Sequence, residues 1–339
     1  MTAAASLLLE ALAGRPVPRP PVWAMRQAGR WDPEFQKLRG RLGFYEFCTH
    51  VDLAAQASLL PRRFGVDAII LFYDITTLAL AMGLPFQMQP AAGPRPTNPV
   101  RSLADVDRLD AAPDPQRFAF LLAILERVKK ELAVALPVLV FAGAPFTLAS
   151  YCLGTGQDVA ATRAFAAAQP EVWRRLLAKL NTATVHFLRT LAERGADACQ
   201  LFDSWAGELT REEYLQWAQP YHRAIFAALR PLPTILFVKE GPELELMASS
   251  GATAVSLGTR HDLAAARRRW PDLTFQGNVS DLLLRDGTPE QVIAATRECL
   301  AAGGGQRHVV NLSHGCDPAM PVANFEAFVA TVRSYRKTD

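Results

Sequence analysis

Short apolar runs recur along this chain, each followed by a stretch with helix-compatible spacing, and that alternation restricts its fold most. The runs are 22–25 (VWAM), 67–72 (DAIILF), 137–142, 198–202, 234–238, 252–257, 273–277 and 308–311. Helical patterns fall at about 42–63, 114–135, 158–168, 171–194, 211–229, 242–249, 261–269, 289–302 and 321–336. Eight strands, each with helical sequence after it, count out a (β/α)8 barrel. A doubly wound open sheet is the alternative, because strand count alone does not show closure. No composition break divides the 339 residues, so residues 1–339 are expected to form one domain.

Two stretches stand outside the alternation. Residues 1–20 read as a short amphipathic helix ended by Gly14 and a proline-rich lead-in. Residues 84–100 are rich in proline and hold no sustained period, so they read as an excursion, in the form of a hairpin, rather than a core element. Half the residues are hydrophobic and 20% charged, which suits a large buried core. The formal charge is only +3, and the one tight basic run is Arg267-Arg268-Arg269, which fits the solvated side of a helix better than nucleic acid or a membrane surface. The 5 cysteines are scattered with no C-x-x-C spacing, against a disulfide framework or a closed zinc site and in keeping with a reducing compartment. Glu10 near the start and no apolar run of membrane-spanning length make a cytoplasmic protein the expectation.

In a parallel barrel, active-site groups come from the loops after the strands. Arg26 and Arg30 follow the first strand, in PVWAMRQAGR (21–30), with Gly29 allowing close main-chain approach. Their planar donors suit a carboxylate ligand, or else they make structural salt bridges. Tyr73-Asp74 follow the second strand, Ala144 to Tyr151 the third, Asp203-Ser204 the fourth, Lys239 the fifth, Asn278 the seventh and His314 the eighth. Each has a plainer reading: Asp74 and Asp203-Ser204 as helix caps, Tyr151 as an aromatic on the inner face of a helix, Lys239 as a rim residue. His314-Gly-Cys316 looks like part of a metal site but lacks a Cys or His downstream to complete it. No G-x-S-x-G elbow, P-loop or dinucleotide fingerprint is present.

Six blocks, PVWAMRQAGRWDPEF (21–35), FYDI (72–75), FAGAPFTLASY (141–151), LFDSWAG (201–207), QGNV (276–279) and NLSHG (311–315), resemble the uroporphyrinogen decarboxylase family in order and over nearly the whole chain. The resemblance implies a cytoplasmic homodimer with the barrel fold, acting in haem biosynthesis without metal or organic cofactor. It would convert uroporphyrinogen III to coproporphyrinogen III by removing four acetate carboxyls as carbon dioxide. By the same resemblance Asp74 and Arg26 are the catalytic pair. Arg26, Gln27, Ala28, Gly29, Arg30, Arg39, Asp74, Tyr151, Ser204 and His314 are the substrate-binding set.

The chain departs from the family at several places. Tyr73 stands where serine is common, and Cys152-Leu-Gly-Thr-Gly156 lacks the usual acidic residue before its glycines. Ser256-Leu-Gly-Thr259 replaces Gly-Leu-Asp-Trp, and Val279-Ser-Asp281 replaces Leu-Asp-Pro. Two other functions stay in view: a zinc- and corrinoid-dependent methyltransferase of the same superfamily, and a catalytically silent tetrapyrrole-binding protein.

Overall fold

A computed structural model describes residues 6–89, 93–133, 136–241 and 243–336. Among these residues the strands are β1 (Ile69–Ile70), β2 (Phe86–Gln89), β3 (Gly93–Pro96), β4 (Val138–Gly143), β5 (Ala198–Phe202), β6 (Thr234–Phe237), β7 (Ala254–Ser256), β8 (Thr274–Gln276) and β9 (His308–Val309). All but β2 and β3 form one parallel sheet in the order β1-β4-β5-β6-β7-β8-β9. Chain order is therefore sheet order, as right-handed crossovers through intervening helices produce. β2 and β3 pair with each other antiparallel, which makes the proline-rich excursion a hairpin.

Both faces of the sheet bury apolar side chains, and Gln276 Nε2 joins three strands by donating to Gln200 Oε1 at 3.0 Å and Ser256 Oγ at 3.2 Å. One face packs against helices through Leu125, Leu176, Phe187 and Phe328. On the other, Ile70 of β1, Leu139 of β4, Ile235 of β6 and Val309 of β9 share a cluster with Trp23 and with Leu8 and Leu12 of the helix Leu7–Leu12. Side chains from the two edges of a flat seven-stranded sheet lie too far apart to meet, so the sheet is curled. The Leu7–Leu12 helix covers one end, where Thr274 Oγ1 donates to Ala11 O at 3.1 Å.

Residues 21–23 run between the two edges. Val22 bridges Val310 in parallel, Val310 N donates to Pro21 O at 2.9 Å, and Asp67 N donates to Val22 O at 2.7 Å. The expected first strand, 22–25, is thus reduced to a single bridge residue, and the sheet has seven strands, not eight. The reason is local: Met25 N donates to Asn311 Oδ1 and Gln27 N to Ala24 O, so main-chain donors leave the ladder for the loop.

The helices differ from the sequence reading in their breaks. The 42–63 stretch divides at His50, whose Nδ1 accepts from Leu53 N and caps a new helix, Val51–Leu59. The 211–229 stretch divides at Ala218, because Pro220 cannot continue the preceding helix but suits the first turn of the next. Short helices at Pro33–Arg39, Thr77–Ala81, Leu103–Arg108, Pro145–Leu153 and Asp281–Asp286 were not legible as apolar periodicity. Residues 1–5, 134–135 and 242 of the expected helices, and 90–92 of the excursion, lie outside the described residues, as do 337–339. Among the described residues no helix is long and apolar enough to cross a membrane.

Candidate active site

The loop after residues 21–23 is stapled from below. Gln27 is fully buried: its Oε1 accepts from Ala24 N at 3.1 Å and its Nε2 donates to Ala68 O at 3.0 Å. Ala28 packs with Phe35 and Phe47. The side chains of these two expected substrate residues are therefore turned into the protein and hold the loop. Arg26 takes a left-handed backbone conformation, φ 58°, uncommon for a residue with a Cβ. Its carbonyl accepts from Trp31 Nε1 at 3.2 Å, and its side chain lies on Gly315, where an added Cβ would stand 2.6 Å from Arg26 Cδ. A larger residue there would displace the Arg26 side chain. Arg26 and Arg30 are exposed and neither meets a carboxylate among the described residues, so the structural salt-bridge reading fails. Arg39, half-buried, donates from Nε to Leu42 O at 3.3 Å and acts electrostatically on Cys48.

Asp74 follows β1 and is 9% exposed. Its Oδ1 accepts from Thr76 N at 2.9 Å and from the Thr76 hydroxyl, and Thr77 N donates to Asp74 O, so the residue turns the chain into the Thr77–Ala81 helix, whose N-cap is Thr76 and not Asp74. One oxygen makes these bonds, leaving Oδ2 the freer of the two. Burial raises the pKa of this carboxyl above the ordinary value, with the Thr76 bonds and Ile75 N–H opposing. Asp74 borders a cavity of about 140 Å3 together with Tyr45, Cys48, Thr76 and Phe86. Tyr73, its neighbour, faces the other way. Its ring stacks on Phe141 at 4.1 Å, and its hydroxyl donates to Phe141 O while accepting from Phe141 N at 2.6 Å. A side chain thus extends the β1–β4 pairing past Leu71, which accounts for a tyrosine at this position.

Tyr151 sits on the Pro145–Leu153 helix with its ring 6.4 Å from Trp205. Burial pushes its hydroxyl up to about 12; Asp74 adds to the shift, while Arg26 and Arg95 oppose it. The phenol is a neutral donor at pH 7, and it feels both the carboxylate and the guanidinium. Asp203 is fully buried and holds this helix in place: Oδ1 accepts from Thr147 N at 3.1 Å and Thr147 Oγ1 at 2.7 Å. Its Oδ2 meets His222 Nε2 at 2.8 Å, and His222 Nδ1 lies 3.4 Å from the Tyr214 hydroxyl. Ser204, beside it, is half-buried with no side-chain hydrogen bond among the described residues.

His314 is half-buried in the loop after β9, its ring 6.0 Å from Phe237 and its Nδ1 3.9 Å from Asp281 Oδ2. Burial lowers its pKa to about 4; Arg26 and Lys239 push the same way, and Asp281 and Glu240 oppose. The imidazole is neutral at pH 7. Asn311 ties this loop to the first, since its Oδ1 accepts from Met25 N at 3.1 Å and Leu312 N at 2.8 Å. Lys239 is exposed with no carboxylate partner among the described residues. Asn278, expected at the same mouth, donates to Gly258 O and His261 O at 2.9 Å each and holds the backbone. Cys316 is buried with its thiol shifted upward by burial, and its N–H donates to Met25 O at 2.9 Å. Among the described residues no three His, Cys, Asp or Glu side chains gather as a metal site.

The arrangement thus joins Asp74 and Arg26 to Tyr151, and Arg26 to His314, electrostatically, with Arg30 on the Arg26 loop, Arg39 at the end of the Pro33–Arg39 helix and Ser204 on the loop after β5. Sequence reasoning missed Arg95, His222 and Asp281. Asp281 was legible only as a departure from the family pattern, and His222 falls within an ordinary amphipathic stretch.

A family model described as uroporphyrinogen decarboxylase (URO-D) matches residues 3–335. Curated relatives with that name include one from Coxiella burnetii, 40% identical with 96% of this chain and 94% of that protein covered. Another, from Serratia proteamaculans, is 37% identical with 96% of each covered. One from a Synechococcus species is 36% identical, again with 96% of each covered. Among solved structures, a methyltransferase from Methanosarcina mazei has a TM-score of 0.78 at 22% identity, with 96% of this chain and 97% of that one covered, a likeness of fold.

Proposed function

The chain belongs to the uroporphyrinogen decarboxylase family, and on that premise we propose that its loops bind uroporphyrinogen III and remove the four acetate carboxyls to leave coproporphyrinogen III. It is an enzyme of porphyrin biosynthesis. The observation that carries the assignment of residues is that a buried carboxylate, Asp74, and an unpaired guanidinium, Arg26, act on one phenol, Tyr151. A porphyrinogen presents pyrrole N–H donors at its centre and carboxylates around its rim. That is the charge pattern an inner anion ringed by Arg26, Arg30 and Arg39 complements.

The chemistry needs an electron sink. Protonating a pyrrole carbon next to the acetate-bearing position makes a cationic ring. The carbon–carbon bond to the carboxylate then breaks, its electron pair enters the ring and carbon dioxide leaves; the exocyclic methylene takes a second proton to become methyl, and the ring carbon gives back the first, restoring the neutral pyrrole. The substrate supplies its own sink, so the reading asks for no cofactor. Asp74 accepts from pyrrole N–H groups and stabilises the cation as it forms, a preorganised electrostatic role. Tyr151 and Ser204 offer hydroxyls. His314, neutral at pH 7, serves as a hydrogen-bonding group to a carboxylate rather than as an acid. Arg26 is exposed and meets no carboxylate among the described residues, which leaves it to bind a carboxylate of the substrate. Its high pKa makes it a weak acid at neutral pH, so carboxylate binding is its first role.

The same reading takes the curled sheet, with residues 21–23 as its eighth member, to be a closed (β/α)8 barrel and residues 1–339 to be one domain. It also takes the protein to be a cytoplasmic homodimer, in keeping with five free buried cysteines. The test is anaerobic incubation with uroporphyrinogen III. Stepwise appearance of species with seven, six, five and four carboxylates is the expected outcome. Tight binding with no carbon dioxide would replace the enzyme by a tetrapyrrole carrier.

A further inference from the structure

Arg26, Arg30 and Arg39 all come from one side of the site, the segment after the first bridge residue. Another cation reaches it from a different element. Arg95 lies on β3 of the hairpin, opposite Gln87 in the register, and is half-buried. One guanidinium N–H donates to Gly154 O, at the C-terminal end of the helix that carries Tyr151. A guanidinium has five N–H donors, and among the described residues this one meets no carboxylate and makes no other side-chain bond.

The seat for Arg95 is made of glycine. Gly154 and Gly156 have φ of 74° and 58°, and a Cβ at Gly156 would lie 3.5 Å from Arg95 Nη1. The helix end presents carbonyls and the negative pole of the helix dipole, which retains a cation without neutralising it. This is also where the chain lacks its relatives' usual acidic residue, so no side-chain carboxylate from that turn competes for the fork. The charge is felt at Tyr151, where it opposes the upward shift from burial in the same direction as Arg26 does.

We propose that Arg95 is a further substrate-binding residue, gripping a carboxylate of the macrocycle at the Tyr151 end. The proposal rests on the porphyrinogen reading of the site. The hairpin then has a purpose beyond packing: it carries a cation across to a face of the ligand that the first loop does not supply. A planar, bidentate fork is the chemistry that recognises a carboxylate.

The experiment compares the parent protein with Arg95→Gln and Arg95→Lys. It reads KM and kcat under anaerobic turnover, Kd for oxidised uroporphyrin by fluorescence quenching, and melting temperature. Arg95→Gln is expected to raise KM and Kd about tenfold with kcat within about twofold, and Arg95→Lys to recover part of the loss. Unchanged KM and Kd in Arg95→Gln, beside an active parent, would overturn the proposal and leave the decarboxylase reading intact. A fall in melting temperature with kcat and KM moving together would reduce Arg95 to a brace for the helix end and overturn it equally. Failure of the parent to turn over or to bind uroporphyrin would instead sink the underlying reading.

Discussion

Asp74 shows how a single residue sets function against stability. Its carboxyl is raised by burial, so the ionised form that the proposed mechanism uses is the form the fold resists. The sign is clear: a raised carboxyl favours folding only while protonated, and that contribution is lost as pH rises through its folded pKa. Asp74→Asn keeps the acceptor for Thr76 and removes the buried charge. It should lower kcat by about 10²–10³, while the melting temperature at pH 7 stays level or rises. A near-normal kcat would take Asp74 out of the mechanism. His308 and His314 run in the opposite direction, both lowered by burial to about 4 from 6.5. The unfolded chain takes up their protons near pH 6.5 and the folded chain only near 4. Stability present above pH 6.5 is therefore lost as pH falls toward 4, by up to about 1.4 kcal/mol per pH unit for each group. Thermal melts at pH 7, 5.5 and 4.5 should show a steady decline; a flat profile would contradict the buried neutral imidazoles.

At the scale of elements, the relation between the Pro145–Leu153 helix and the loop after β5 decides where Tyr151 and Ser204 stand. Asp203 makes that relation, bonding Thr147 on the helix and His222 from the Gln219–Leu229 helix behind it. All three side chains are buried, so a missing partner leaves an unsatisfied polar group rather than a hydrated one. Removing one member of such a pair typically costs about 3–5 kcal/mol. His222→Ala should lower stability by that order in urea unfolding and reduce kcat in the fraction that remains folded. His222→Gln, whose amide can still donate to Asp203, should restore much of both. If His222→Ala melted like the parent, the relay would have no mechanical role. The sequence placed Asp203 at a strand end among the groups of the cleft, with a helix cap as its plainer reading. It does cap a helix, but one from a different part of the chain.

For the whole molecule, the join at residues 21–23 is the place to test. Asp67 accepts from Val22 N at 2.8 Å and holds Arg19 through two bonds of 2.6 and 2.7 Å, with both side chains largely shielded. Because β1 and β9 are only two residues long, few main-chain bonds secure the edges and this carboxylate takes their place. Asp67→Ala should reduce unfolding free energy by about 2–4 kcal/mol, read as a shift in urea midpoint. It should also speed hydrogen exchange in residues 21–30 ahead of the rest of the sheet. An unchanged midpoint would mean that the apolar interior around Trp23, Ile70 and Val309 closes the join unaided.

Periodicity and turn chemistry are local, and they were enough to determine the alternation of strand and helix, the hairpin at 84–100 and the set of loops that carry charge. The order of the sheet follows from that alternation. The motif blocks pointed to the family, which the match over residues 3–335 bears out. Burial and partnership, by contrast, depend on what a distant segment brings, and only the tertiary structure decided them. The side chains of Gln27 and Asn278 bond backbone groups of distant segments. Tyr73 turned away from Asp74 to lengthen a strand pairing. Arg95 came to Tyr151 from a stretch that read as an excursion. A polar side chain has the same sequence signal whether it faces a ligand or a carbonyl; which it meets is settled when the chain closes on itself and every buried donor must find an acceptor.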